Sequence, residues 1–123
     1  PEGHRFAFEF RDKSWLIPQV YDLLANHGIG LCAYDLGGFR SPIVATADFI
    51  YIRLHGPKGP YSGSYDGRTL NGWVKRIVSW LRSGRDVYCY FDNDQLGYAA
   101  ANATTMQQMV ERNTPDGVET PAG

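Results

Sequence analysis

The stretch Phe49-Ile50-Tyr51-Ile52-Arg53-Leu54-His55-Gly56 constrains the fold more than any other part of the chain. Ile50, Ile52 and Leu54 alternate with Phe49, Tyr51, Arg53 and His55. A period of two sends these rows to opposite faces of a β-sheet. The aliphatic row suits packing on helices, whereas Arg53 and His55 need partners, or a ligand, for their charge and donors. Residues 56–67 follow as a loop rich in Gly, Pro and Tyr, too long and too aromatic for a simple connector.

The remaining elements can be placed around this strand. Residues 5–11 alternate again, with Phe6, Phe8 and Phe10 on one face and Ala7, Glu9 and Arg11 on the other, which predicts a strand with an aromatic back. A helix is expected to start at Pro18, which suits a first helical position, to bury Val20, Leu23, Leu24 and His27, and to stop at Gly28. Residues 29–35 are mostly apolar and suit a strand buried on both faces. Residues 36–48 show no helical period and read as a crossover. Asp66 or Thr69 can cap a helix carrying Leu70, Trp73, Val74, Ile77, Trp80 and Leu81, which Gly84 ends. Residues 86–91 form the next strand. A last helix over residues 96–111 places Ala99, Ala103, Met106 and Val110 on its inner stripe.

The order β-α-β-loop-β-α-β-α predicts an α/β fold of parallel βα units with about four strands. Residues 1–112 are expected to form a single α/β domain, and the polar Pro/Gly tail 113–123 to be disordered. The 123 residues suit one domain with a moderate core. Twelve Lys and Arg against 13 Asp and Glu leave a net charge of −1, so charge alone does not argue for nucleic acid. That net charge does not exclude nucleic acid either, since local clusters can still bind phosphate. No apolar run approaches the ~20 residues of a membrane span. Cys32 and Cys89 fall inside predicted strands and read as buried free thiols, so a reducing, cytoplasmic compartment is expected. The opening at Pro1 without a methionine suggests a processed product or a fragment.

The polar residues gather at predicted C-terminal strand ends: Glu9 and Arg11, Asp35, Arg53 and His55, and Asp92-Asn93-Asp94. Sheets of this class place their sites there. Three segments resemble the DUF72 (YecE-like) family in order and spacing: Phe8-Glu9-Phe10-Arg11 with Ser14-Trp15; Thr46 through Gly56; and Asp86 through Asp94. Tyr61, Tyr65 and Trp73 sit where similar members have a Tyr/Gly loop and a helix. The resemblance implies a TIM-type (β/α) barrel. Such barrels run to roughly 250 residues, so this chain would be the C-terminal half of one. Four strands cannot close a barrel. A missing N-terminal half-barrel or a second copy in a homodimer is the implied partner, and an open sheet is the alternative.

Glu9, His55 and Asp92 are the candidate catalytic residues, as acid/base groups. Arg11, Trp15, Arg53, Tyr61, Tyr65, Tyr90, Asn93 and Asp94 are the candidate ligand-binding residues. Arginine suits phosphate or carboxylate, and histidine suits proton transfer. Tyr61 and Tyr65 would form a flap that stacks on a sugar or base. Each has a bland counterpart: Arg53 paired with Glu9, His55 bonded to a backbone carbonyl, Asp92 and Asp94 capping the last helix, and Trp15 packed under the first helix. Carboxylates with one histidine could hold a divalent cation, yet no HxH, HExxH or Cys/His spacing supports one; the cofactor is otherwise unknown. Three function classes follow: an enzyme-like site for an anionic or polyhydroxy ligand with phosphoester or sugar chemistry, a non-catalytic ligand- or nucleic-acid-binding module, and a structural half-barrel.

Overall fold

The computed structural model describes residues 4–59, 62–93 and 95–113. Its elements are β1 (Ala7–Phe8), a 3-10 turn (Lys13–Trp15), α1 (Pro18–Asn26), β2 (Gly30–Leu31), β3 (Ala33–Leu36), β4 (Phe39–Arg40) and β5 (Phe49–Gly56). They continue with α2 (Gly67–Arg82), β6 (Asp86–Phe91), a second 3-10 turn (Gln95–Gly97) and α3 (Tyr98–Asn113). The fold is α/β, with parallel strands and three helices.

β5 lies between β3 and β6 and pairs in parallel with both. β1 pairs in parallel with β2, and the Gly30 and Cys32 N–H groups donate to Phe6 O and Phe8 O, each at 2.8 Å. β4 pairs antiparallel with β3, Asp35 opposite Arg40. This short hairpin, read from sequence as part of a crossover, explains why β1 is shorter than the alternation over residues 5–11 predicts. β1 takes one edge of the 30–36 run at its start, and β4 takes that edge at its end.

The aliphatic row of β5 packs as the alternation predicts. Ile50, Ile52 and Leu54 join Val87, Cys89 and Phe91 of β6 and meet Leu70, Trp73, Val74, Ile77 and Val78 of α2 and Met106 and Val110 of α3. Each such side chain, fully buried, stabilises by about 1.5–3 kcal/mol. α2 begins where the Asp66 carboxylate accepts from the Thr69 N–H at 2.8 Å, and it ends before Gly84 at φ +90°.

Two helices depart from expectation. α1 starts at Pro18 as predicted but buries only Leu24, and Leu23 remains 58% exposed. α3 starts at Tyr98 rather than residue 96, because Leu96 and Gly97 adopt φ of +54° and +77°, which breaks the helix there. On α3 the deepest polar residue is Asn102, whose Oδ1 accepts from the Tyr65 N–H and from Asn93 Nδ2. Of the tail expected over 113–123, Asn113 closes α3, and residues 114–123 with their expected disorder lie outside the described residues. Among the described residues no helix is long and apolar enough to cross a membrane.

Candidate functional site

The second row of β5 builds the candidate site. Phe49, Tyr51 and Arg53 share their face with Tyr88 and Tyr90 of β6, which stand opposite Tyr51 and Arg53 in the register. With Arg5, Ala7, Glu9 and Cys32 they line a cavity of about 500 Å³, and no helix residue contributes to its wall. Tyr51 and Tyr90 pack ring to ring with centroids 5.4 Å apart.

At the C-terminal end of this face five charged or titratable side chains meet. Arg53 donates from Nε and Nη2 to Asp92 Oδ2, at 3.1 and 2.7 Å, and its Nη1 lies 3.8 Å from Glu9 Oε1. Arg11 donates to Glu9 and, from Nη2, to His55 Nε2 at 3.1 Å. His55 Nε2 is also 3.1 Å from Glu9 Oε1, and Nδ1 is 3.4 Å from Asp92 Oδ2. Both ring nitrogens thus face carboxylates. With the proton on Nδ1 the ring points it at Asp92 and accepts from Arg11; with the proton on Nε2 it donates to Glu9.

Their exposures divide the labour. His55 is buried behind Glu9 and edge-on to Tyr34, whereas Glu9 and Arg53 reach the cavity wall. Burial pushes the Glu9 carboxyl up, but hydrogen bonds from Arg11 and His55 outweigh it and hold the group below its ordinary value. Glu9 is therefore an ionised carboxylate, a weak base that is suited to accepting hydrogen bonds and poorly suited to giving a proton. Burial, and then the charge of Glu9, push the Cys32 thiol far up; its S–H points at Glu9 Oε1 from 3.5 Å. It is a neutral thiol, not a nucleophile.

A pH titration tests this reading of Glu9. The folded value lies below the unfolded one, so the stabilisation is complete above the ordinary value of 4.5 and is lost as pH falls through the folded value. Glu9→Gln is expected to flatten the acid limb of a Tm-against-pH profile by roughly 1 kcal/mol. A variant profile parallel to that of the unaltered protein would refute the pairing.

The structure does not bring every sequence candidate to this point. Asp35 stands level with Leu54 on the helix side of the sheet, because its parity is opposite to that of Tyr34. Tyr65 is no stacking flap. It is buried, its hydroxyl donates to Asp35 Oδ2 at 2.8 Å and accepts from the Gly56 N–H at 2.9 Å. Asn93 has no exposed surface; its amide donates to Gly63 O and Asn102 Oδ1 and ties the loop to α3. Trp15 stacks on Phe10 at 5.8 Å and is 53% exposed, so it neither packs under α1 nor lines the cavity. Asp92 pairs with Arg53 in place of capping α3. Tyr61 and Asp94 lie outside the described residues.

Sequence reading overlooked Cys32 and Tyr34. Tyr34 carries the Arg11 guanidinium over its ring at 5.2 Å and donates its hydroxyl to Phe10 O. The alternation of Cys32 and Tyr34 across Ala33 was the available signal, hidden because the whole run is apolar. Among the described residues no group of three or more His, Cys, Asp or Glu is arranged to hold a metal ion.

Comparison with known proteins places this arrangement. A solved DUF72 family protein from Thermotoga maritima is 29% identical, with a TM-score of 0.80 over 89% of this chain and 47% of that one. Two structures of a DUF72 family protein from Enterococcus faecalis share the fold. One has 17% identity and a TM-score of 0.77 over 96% of this chain and 53% of that one. The other has 20% identity and a TM-score of 0.73 over 89% and 50%. The chain thus spans about half the length of the solved structures it matches. No curated protein matches it. The family model described as "Protein of unknown function DUF72" matches residues 1–122, and the chain belongs to that family.

Proposed function

We propose that the chain forms half of a TIM-type barrel and that the Glu9–Arg53–His55–Asp92 cluster is the ligand site at its mouth. Helices α2 and α3 cover one face of the sheet, while the tyrosine-bearing face is open. A complementary half, from the missing N-terminal part or a second copy, would close over that face. Its side chains would fill the part lined by Phe49, Tyr51 and Tyr88, as barrel interiors are filled. The C-terminal end, with Glu9, Arg53 and Tyr90, would stay accessible.

The observation that carries this reading is the convergence of Glu9, Arg53 and Asp92 from three separate strand ends onto one point. The site suits a small anionic, polyhydroxy ligand. Arg53 supplies the anion contact. The Tyr90 ring offers a face for a sugar-like carbon skeleton. Glu9, held ionised by Arg11 and His55, accepts a hydrogen bond from a ligand hydroxyl or a water and orients it for phosphoester or sugar chemistry. His55 acts through Glu9 as a positioning residue.

A structural role is the second reading, favoured by the full set of ion pairs around Arg53. One experiment separates the two. Light scattering over a concentration series first establishes whether the chain associates, a dimer lying near twice 13.8 kDa. Calorimetry on that species then compares glycerol phosphate, glycerol and inorganic phosphate. Arg53→Ala is expected to weaken glycerol phosphate about tenfold or more. Unchanged affinity together with a lower Tm would make the cluster an ion-pair lattice alone.

A further inference from the structure

On the other side of the sheet a second cleft, about 400 Å³, opens between the β3–β4 hairpin and the first turns of α2. Its wall includes Asp35, Arg40, Arg68 and Trp73. Asp35 and Arg40 are directly opposed in the antiparallel register. Opposed residues have Cβ atoms only about 5 Å apart, so an ion pair would be the expected outcome. None forms. Asp35 turns inward, where Oδ2 accepts from the Tyr65 hydroxyl and Oδ1 has no hydrogen-bond partner among the described residues. Arg40 turns outward over the Trp73 ring, 5.9 Å from its centre.

Arg68 adds a second cation. It lies in the first turn of α2, which contains no acidic residue, and it makes no ion pair or hydrogen bond among the described residues. The Asp66 carboxylate at the helix N-cap lies in the field of this cation and offsets it beside the helix dipole. Asp35 is 9% exposed, and one of its carboxylate oxygens makes no hydrogen bond among the described residues. Burial pushes that carboxyl up, and the Tyr65 hydroxyl and the charges of Arg40 and His55 offset this only in part. The cleft therefore carries a carboxylate acceptor and two guanidinium groups among its lining residues.

We propose that this cleft binds a small zwitterion, a free α-amino acid, with its ammonium on the Asp35 carboxylate and its carboxylate between Arg40 and Arg68. A ligand ammonium would add to the partial offset that Arg40 and His55 give Asp35, and a ligand carboxylate would match the two guanidinium groups. The Trp73 ring and Gly72, which has open space where a side chain would begin, leave room for the ligand's side chain. This site lies on the helix side of the sheet, on the opposite face from the barrel-mouth cavity.

The test is calorimetry on the intact chain with a panel of free α-amino acids, using propylamine and propionate as controls. At least one amino acid is expected to bind about tenfold more tightly than either control, since both charges must be matched. Arg40→Gln with Arg68→Gln, both exposed positions, should remove that difference while far-UV circular dichroism stays unchanged. Arg53→Ala should leave it intact. Binding to none of the amino acids, equal binding of the controls, or loss of binding in Arg53→Ala would each overturn the assignment. Asp35→Asn, checked by the same spectrum, should weaken amino acids and propylamine while leaving propionate no weaker. The opposite pattern would overturn the ammonium contact.

Discussion

Gly56→Ala is expected to destabilise the fold by roughly 3 kcal/mol or more, with two independent contributions. Gly56 has a φ of +141°, a region that L side chains rarely adopt. A Cβ there would lie 2.4 Å from Gly59 O, 2.5 Å from Ser62 O and 2.8 Å from Ser62 N. These are backbone atoms, so no side-chain rotation can relieve the overlap. The position is also a junction. The Gly56 N–H donates to the Tyr65 hydroxyl, and its carbonyl accepts from the Gly37 N–H at 2.7 Å. His55 immediately precedes it. Chemical denaturation should show the midpoint falling, and the His55 ring resonances should shift, because the strand end that aims the imidazole must move. A variant within ~0.5 kcal/mol of the unaltered protein would mean that the loop relaxes freely and does not hold the site.

Trp73→Ala should cost still more, about 3–5 kcal/mol. The indole is 1% exposed at the centre of the cluster that joins β5, β6 and α2. Removing it leaves a cavity that the surrounding β-branched and aromatic side chains fill only partly. For a domain whose whole stability is of the order of 5–15 kcal/mol, that is a large fraction. The expected readout is loss of a cooperative denaturation transition, or a midpoint so low that the native baseline disappears. A change below ~1 kcal/mol would show that α2 does not rely on this contact with the sheet. The substitution would also remove the surface on which Arg40 rests, so α-amino acid binding in the hairpin cleft should be measured only in conditions where the variant remains folded.

Both residues sit in elements that local sequence pattern marks clearly. The spans of β5 and β6 follow from alternation with β-branched and aromatic residues. That of α2 follows from a repeating apolar stripe bounded by Asp66 and Gly84. In these segments propensity, periodicity and capping agree, so the local signal survives folding. The pairing of Arg53 and His55 on one face was legible for the same reason, since two residues spaced by two on a strand must point the same way.

What the chain by itself determined was therefore the three helices and the long strands β5 and β6, the α/β order and the side of β5 on which charge would appear. The tertiary structure alone decided which polar residues meet. Asp35 and Tyr34 are neighbours at the end of a mostly apolar run, where alternation carries little contrast, and only the register against β5 sends Tyr34 to His55 and Asp35 to Tyr65. Tyr65 and Asn93 read as ligand-facing residues, one in a flap and one at a strand end, because the local sequence does not show what buries a loop. Here their partners are 30, 37 and 9 residues away along the chain and bury them. The β3–β4 hairpin is too short to show a period, yet it opposes Asp35 to Arg40 and so frames the second cleft. Periodicity reports which way a side chain points. Which group it meets depends on register and on chain segments distant in sequence, and those are set only when the elements pack.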